Sequence, residues 1–301
     1  MPITVIPAYR VVRKFVRDVQ DMPADAALDS LWANLRTYTQ HLLGQTDAAF
    51  ADMGQRMAVS QIGDPDLDDL TQAIDILEAE NTKEQAEATL QRCAQALPRP
   101  DLSTRVVLLP GDGQSSVMAS QWHGVVGVSL GPQVTLVFLW PTGDWRQWLE
   151  YTLCHEYAHL VRNLLLPRRM TGGRLVYQKS QEPETLLDAM LAEGIADAFA
   201  MELCPGMRPA YLNALSCEDE AQVWPKVRRR LAVSDTSEIR RFLYGDNDRL
   251  PAWTGYALGY RMAGQYLAGH PSVRPAALTG LPAKAIFEAG PYVPSAMPSH
   301  S

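Results

Sequence analysis

Residues 144–167 read DWRQWLEYTLCHEYAHLVRNLLLP, and the spacing inside this stretch sets the reading of everything around it. Asp144 is an N-cap candidate, with Gln147 at the third helical position to complete a capping box. Pro167 closes the pattern, so a helix is expected from about residue 145 to Leu166. Along it Trp148, Thr152, His155, His159 and Arg162 form one stripe. Leu149, Leu153, Leu160 and Leu164 form an adjacent apolar one, which marks the core-facing side. His155 and His159 are therefore neighbours on one face, directed at a cleft or a second helix. Two imidazoles at this spacing can reach a single zinc ion, and Glu156 between them can hold the water that such an ion activates.

Upstream of this helix the chain is β-type. The runs 105–109 (RVVLL), 124–130 (GVVGVSL) and 134–139 (VTLVFL) read as short strands, the last two separated by Gly131-Pro132. Gly124 and Gly127 mark either an edge strand approached by another backbone, such as an extended peptide, or a bulge or tight bend. Further upstream, 25–97 is rich in Ala, Leu, Gln, Asp and Glu at helical spacing. Helices are expected over 67–77 and 83–97, the second stopped by Pro98 and Pro100. The fold class is thus α+β and mostly helical, with a small mixed sheet before the HExxH helix. Residues 1–100 read as an N-terminal helical region packed on a working domain at 101–289. The Pro- and Ser-rich stretch 290–301 reads as a flexible tail.

Bulk properties narrow the function classes. The chain has 301 residues, 47% of them hydrophobic and 20% charged, which is ordinary globular composition. A formal net charge of −7 argues against nucleic acid as a partner, and the basic run at 226–230 (KVRRR) fits a solvated helix face. Cys93, Cys154, Cys204 and Cys217 have no CxxC or framework spacing and read as reduced thiols. With no signal-type apolar core and no membrane-length run, the expected setting is cytoplasmic, with no membrane partner. His41, His123, His270 and His300 have no motif around them and read as surface or hydrogen-bonded histidines.

A catalytic zinc site needs a third protein ligand and an open fourth position. The extension HExxHxxGxxH is excluded, because Arg162 stands where its glycine would be and Leu165 where its last histidine would be. A glutamate on a later helix is the remaining solution. The stretch 184–203, opened near Pro183 and stopped by Pro205-Gly206, reads as that helix. Glu193 sits at its middle, Gly194 is expected to let it approach the histidine helix, and Asp197 lies one turn on. A carboxylate there can accept a hydrogen bond from a ligand histidine and fix its ring. Competing acids read otherwise: Glu182 and Glu184 as capping, Asp188 as a structural hydrogen bond, Glu202 as solvated. Between the two helices, 167–183 with Gly172-Gly173 reads as a loop or small hairpin, a possible flap.

The segments HEYAHLVR (155–162), LLDAMLAEGIADAFA (186–200) and WTGYALGYRMAGQYL (253–267), in that order, resemble the YjaZ-like predicted zinc-dependent proteases, a domain of unknown function. The resemblance covers the chain from about Leu97 onward, and extends to the wider gluzincin group, in which HExxH is followed by a glutamate ligand. It implies a gluzincin-like fold with His155, His159 and Glu193 as ligands of Zn2+, Glu156 as catalytic base and Asp197 as the carboxylate behind the ligands. Tyr256 and Tyr260, in a GYxxGY segment similar to one in some helical oligopeptidases, are candidate oxyanion donors. Their alternative role is core packing, with Gly255 and Gly259 allowing close helix contact. Arg162 and Arg261 read as structural or surface residues, with a grip on a substrate carboxylate as the other option.

The expected function is zinc-dependent hydrolysis of a peptide or protein substrate. The alternative is a non-proteolytic protein of the same fold that binds a peptide or partner. Glu156 weighs against the alternative, since a purely structural site has no use for a general base. No GxMxN-type motif is present to anchor a free amino terminus. Substrate, cleavage position and oligomeric state are not legible.

Overall fold

The computed structural model describes residues 3–44, 46, 48–172, 174–246, 248–290 and 292–294. Four strands, β1 (Ile3–Ile6), β2 (Thr104–Pro110), β3 (Val125–Leu130) and β4 (Val134–Leu139), form one sheet in the order β1-β2-β4-β3. The β1-β2 and β2-β4 pairs are parallel and β3-β4 is antiparallel, so the sheet is mixed. The three β-type runs read from the sequence are β2, β3 and β4. Strand β1 adds a sheet element to the N-terminal region, whose sequence reads as helical. The four residues Ile3–Ile6 are too short to show an alternation, and only the parallel partner Thr104–Pro110 makes them a strand.

The chain divides into two compact units, Met1–Leu160 and Val161–Ser301. In the first, helices α1 (Tyr9–Val19), α2 (Ala24–Leu43), α3 (Ala48–Ile62), α4 (Leu67–Ala79), α5 (Thr82–Ala96) and α6 (Ser116–Ser120) surround the sheet, and most of α7 (Trp145–Leu165) follows β4. Every residue of β4 is buried, as are Val106 to Leu109 of β2. Strands hidden on both faces need helices on both sides. Gly54 brings α3 down onto that sheet: a Cβ there would lie 2.6 Å from Leu130 Cδ1 and 2.7 Å from Leu43 Cδ1. Asp66 caps α4 by accepting from the amides of Asp68 and Asp69.

The second unit is a helical assembly with one hairpin, β5 (Arg168–Thr171) paired antiparallel to β6 (Arg174–Tyr177). Its helices are α8 (Leu186–Leu203), α9 (Cys217–Arg228), α10 (Thr236–Tyr244), α11 (Thr254–Gly269), α12 (Pro275–Leu278) and α13 (Ala283–Glu288), with a 3-10 turn at Ala210–Asn213. Leu186, Met190, Leu191, Leu243, Leu258 and Met262 are among the buried residues of its core. At the C-terminal end Tyr292 is buried, its hydroxyl bonded to Glu220, and the Val293 amide donates to Gln265 Oε1 at 3.2 Å. Residue 291 and the rest of the expected tail, 295–301, with His300, lie outside the described residues. Among the described residues, no helix is long and apolar enough to cross a membrane.

Candidate metal centre

Helix α7 starts where the sequence placed it, with the Trp148 amide donating to the Asp144 carbonyl. Leu149, Leu153 and Leu160 are fully buried, as the apolar stripe requires. Helix α5 fixes α7 from the side. Arg92 pairs with Glu150 at 2.7 Å, and the Tyr157 hydroxyl donates to the Leu97 carbonyl at 2.9 Å. The Cys93 and Cys154 sulfurs lie 3.4 Å apart as free thiols, so Cys154 faces α5 and serves packing. His123 stacks on Trp148 with ring centroids 4.1 Å apart.

The i, i+4 relation brings the Nε2 atoms of His155 and His159 to 3.0 Å of each other. Candidate ligand atoms of His155, His159 and Glu193 all lie within 4.8 Å of one another. A tetrahedral zinc with bonds of about 2.1 Å sets its ligand atoms roughly 3.4 Å apart, so two imidazoles and a carboxylate at these separations suit it in chemistry and in span. Glu156 is buried and points at strand β3: Ser129 Oγ donates to its Oε2 at 2.6 Å. Gly127 is open for the same reason, since a Cβ there would lie 2.6 Å from Glu156 Cγ and 2.7 Å from Thr152 Cγ2. Gly124 is needed at a turn, with φ +81° and the Trp140 carbonyl oxygen where a Cβ would be. Of the two readings of these glycines, the tight bend holds for Gly124, whereas Gly127 is approached by side chains of α7 rather than by another backbone; β3 does lie at the sheet edge.

Glu193 and Asp197 sit on α8, which opens with a capping box between Thr185 and Asp188. Asp188 thus has the structural role expected of it, but Glu184 does not cap. It is buried and pairs with Arg168, which also bonds Asn163 and so anchors the β5–β6 hairpin, the stretch read as a loop or small hairpin. Glu202, expected to be solvated, pairs with Arg274 at 2.8 Å. Gly194 is a second correction. Its added Cβ would meet the Gly259 carbonyl at 2.1 Å, and one on Gly259 would meet the Met190 oxygen at 1.9 Å. The glycine serves the α8–α11 contact rather than an approach to the histidine helix, because helices cross this closely only where both lack a Cβ.

That contact places the tyrosines. Tyr256 is buried in an aromatic cluster, with ring centroids 5.4 Å from Tyr211, 5.7 Å from Tyr244 and 5.4 Å from Trp253. Burial first, then the charge of Glu193 and a hydrogen bond with Tyr244, push its phenol well above the ordinary range. Tyr260 is half-buried and raised by burial and by Asp197, with Arg208 opposing. The Tyr211 hydroxyl donates to Asp197 Oδ1 at 2.9 Å. Neither Tyr211 nor Ser129 was found from the sequence, for neither has a motif or a helical spacing relative to the residue it serves. Arg162 and Arg261 take structural roles: Arg162 donates to the Leu281 carbonyl at 2.9 Å, and Arg261 pairs with Glu220. His270 is satisfied by the Tyr266 carbonyl at 2.8 Å.

The chain has no match among curated proteins and none among solved structures. A family model does match, over residues 82–288, a span that takes in α5, the β2–β4 part of the sheet, α7, α8 and α11. The sequence resemblance began only at about Leu97, so the family's own region reaches back to include the helix that braces α7. This protein belongs to the family described as Predicted Zn-dependent protease (DUF2268).

Proposed function

We propose that this protein is a zinc metallopeptidase of gluzincin-like arrangement, acting on peptide bonds of a peptide or protein substrate. The observation that carries the reading is the donor set: two imidazoles and one carboxylate within 4.8 Å of one another, with a second carboxylate, Glu156, between the two histidines in sequence. Three protein ligands leave a coordination position for water, and a neighbouring base gives that water a use. Zinc in such a set lowers the pKa of its water to about 7 and polarises a substrate carbonyl.

Glu156 takes the proton of the attacking water and passes it to the nitrogen of the leaving amine, returning to the carboxylate form. Tyr256 is the better candidate donor to the oxyanion that forms on the substrate carbonyl. Glu193 is among the groups whose charge acts on its hydroxyl. Tyr260 is the alternative donor. Asp197, held by Tyr211, is assigned the orientation of a metal ligand through a hydrogen bond.

The test is metal dependence of cleavage. The purified protein is incubated with a mixed peptide pool, then stripped with a chelator, then reloaded with zinc, and products are followed by mass spectrometry. Cleavage should vanish on stripping and return with zinc at one equivalent per chain. A protein that binds zinc at this stoichiometry and leaves every peptide intact would favour the non-proteolytic binding role.

A further inference from the structure

Strand β3 meets Glu156 at two points. Successive residues of a strand face opposite sides, so Gly127 and Ser129 look the same way. Ser129 Oγ lies 2.6 Å from Glu156 Oε2, 3.3 Å from the Glu156 carbonyl oxygen and 3.0 Å from Thr135 Oγ1. A serine has one proton to give. The short contact to a carboxylate takes it, since a charge-assisted bond is the stronger one. Ser129 is then left as acceptor toward Thr135, the residue opposite it in the β3–β4 register and itself fully buried. The hydroxyls therefore run in one direction, from Thr135 to Ser129 to Glu156 Oε2. The other oxygen is handled by absence: a Cβ on Gly127 would sit 2.9 Å from Glu156 Oε1.

We infer that Ser129 is a positioning residue for the Glu156 carboxylate, tying down Oε2 so that Oε1, over the bare backbone of Gly127, is the oxygen that moves protons. The inference rests on the proposed peptidase reading for its chemistry, but the geometry belongs to one strand and one helix turn. A glutamate carboxylate on three rotatable bonds with no tether samples several orientations, and a general base must stay within hydrogen-bond reach of the proton it takes. Supporting groups of this kind are typically worth about 10–100-fold in function.

Three variants of the full zinc-loaded chain, Ser129→Ala, Ser129→Thr and Gly127→Ala, are compared with wild type for kcat, KM, zinc affinity by chelator competition, and the Glu156 side-chain position by crystallography. In Ser129→Ala, kcat should fall about 10–100-fold with KM and zinc affinity within about twofold, and the carboxylate should leave its place against β3. Ser129→Thr keeps the hydroxyl and should recover most of kcat. Gly127→Ala should displace the carboxylate while Ser129 remains, giving a loss of the same kind, and it serves as the readout should Ser129→Ala not fold. A Ser129→Ala protein with wild-type kcat and an unmoved Glu156 would overturn the inference. If wild type itself cleaves nothing, the peptidase reading fails separately, and the Glu156 position in Ser129→Ala alone decides: a carboxylate that stays put overturns the tether.

Discussion

Helix α7 carries its share of the candidate metal centre in five consecutive residues, whereas α8 holds Glu193 and Asp197 in place through residues far along the chain. On α7 the spacing of His155 and His159 alone puts their Nε2 atoms 3.0 Å apart, as an i, i+4 pair must be. On α8 the position of the carboxylates depends on Gly194 meeting Gly259, on Tyr211 meeting Asp197, and on the cluster around Tyr256. One half of the site is a local property of a helix, and the other is a property of packing. Substitutions of His155, Glu156 or His159 should therefore act on chemistry more than on stability, and substitutions around α8 should act through stability first.

Removing a ligand should have the largest effect and should be blind to this difference. His155→Ala and Glu193→Ala are each expected to weaken zinc binding by more than about 100-fold, beyond the usual effect of a supporting residue. Titration against a chromophoric chelator reads this directly. If Glu193→Ala bound zinc like wild type, the second half of the site would be misassigned.

The Gly259 contact should separate the halves. Gly259→Ala puts a Cβ within 1.9 Å of a backbone oxygen of α8, and overpacking of this kind costs about 1–3 kcal/mol or more. Urea denaturation should show the loss. Gly143→Ala offers a contrast with nothing within 4 Å, although its positive φ makes it strained in its own right. Tyr211→Phe should come next. It removes one hydrogen bond to a buried carboxylate, worth about 1.5–3 kcal/mol for a charged acceptor, and should weaken zinc binding less than loss of a ligand does. An unchanged melting temperature would mean that Asp197 does not depend on it.

The smallest effect concerns alkaline stability of the first unit. Burial, and then the charge of Glu78, push the Tyr9 phenol up to about 12. A pKa raised above the unfolded value of about 10 means that the stabilisation is complete below pH 10 and is lost as pH rises through about 12. Tyr9→Phe should flatten the decline in stability over that window, read as urea midpoints at pH 9 and pH 11.5. A decline as steep as wild type's would place the alkaline sensitivity elsewhere.

The same division governs what could be read from the sequence. Periodicity gave α7 and α8 to within a few residues, and apolar runs gave β2 to β4, because those signals are carried within each segment. Strand β1 was invisible because four residues hold no period, and its identity comes from pairing with a strand about a hundred residues away. The three residues that lie together as a candidate metal site could be named from a motif and a mid-helix acid. Ser129, Tyr211, the Glu184–Arg168 pair and the true neighbour of Gly194 were not, since each is defined by a contact between elements. Thr185 at the α8 cap carries a readable signal, a Thr followed by Asp three residues on, whereas Glu184 beside it pairs with Arg168.

The central claim is that Glu156 is the base of a zinc peptidase, and one paired measurement meets it head on: zinc content and cleavage of a mixed peptide pool for wild type beside Glu156→Gln. Both proteins should hold one zinc per chain, and only wild type should cleave, with the variant lower by about 100-fold or more. A Glu156→Gln protein that holds zinc and cleaves as fast as wild type would contradict the account.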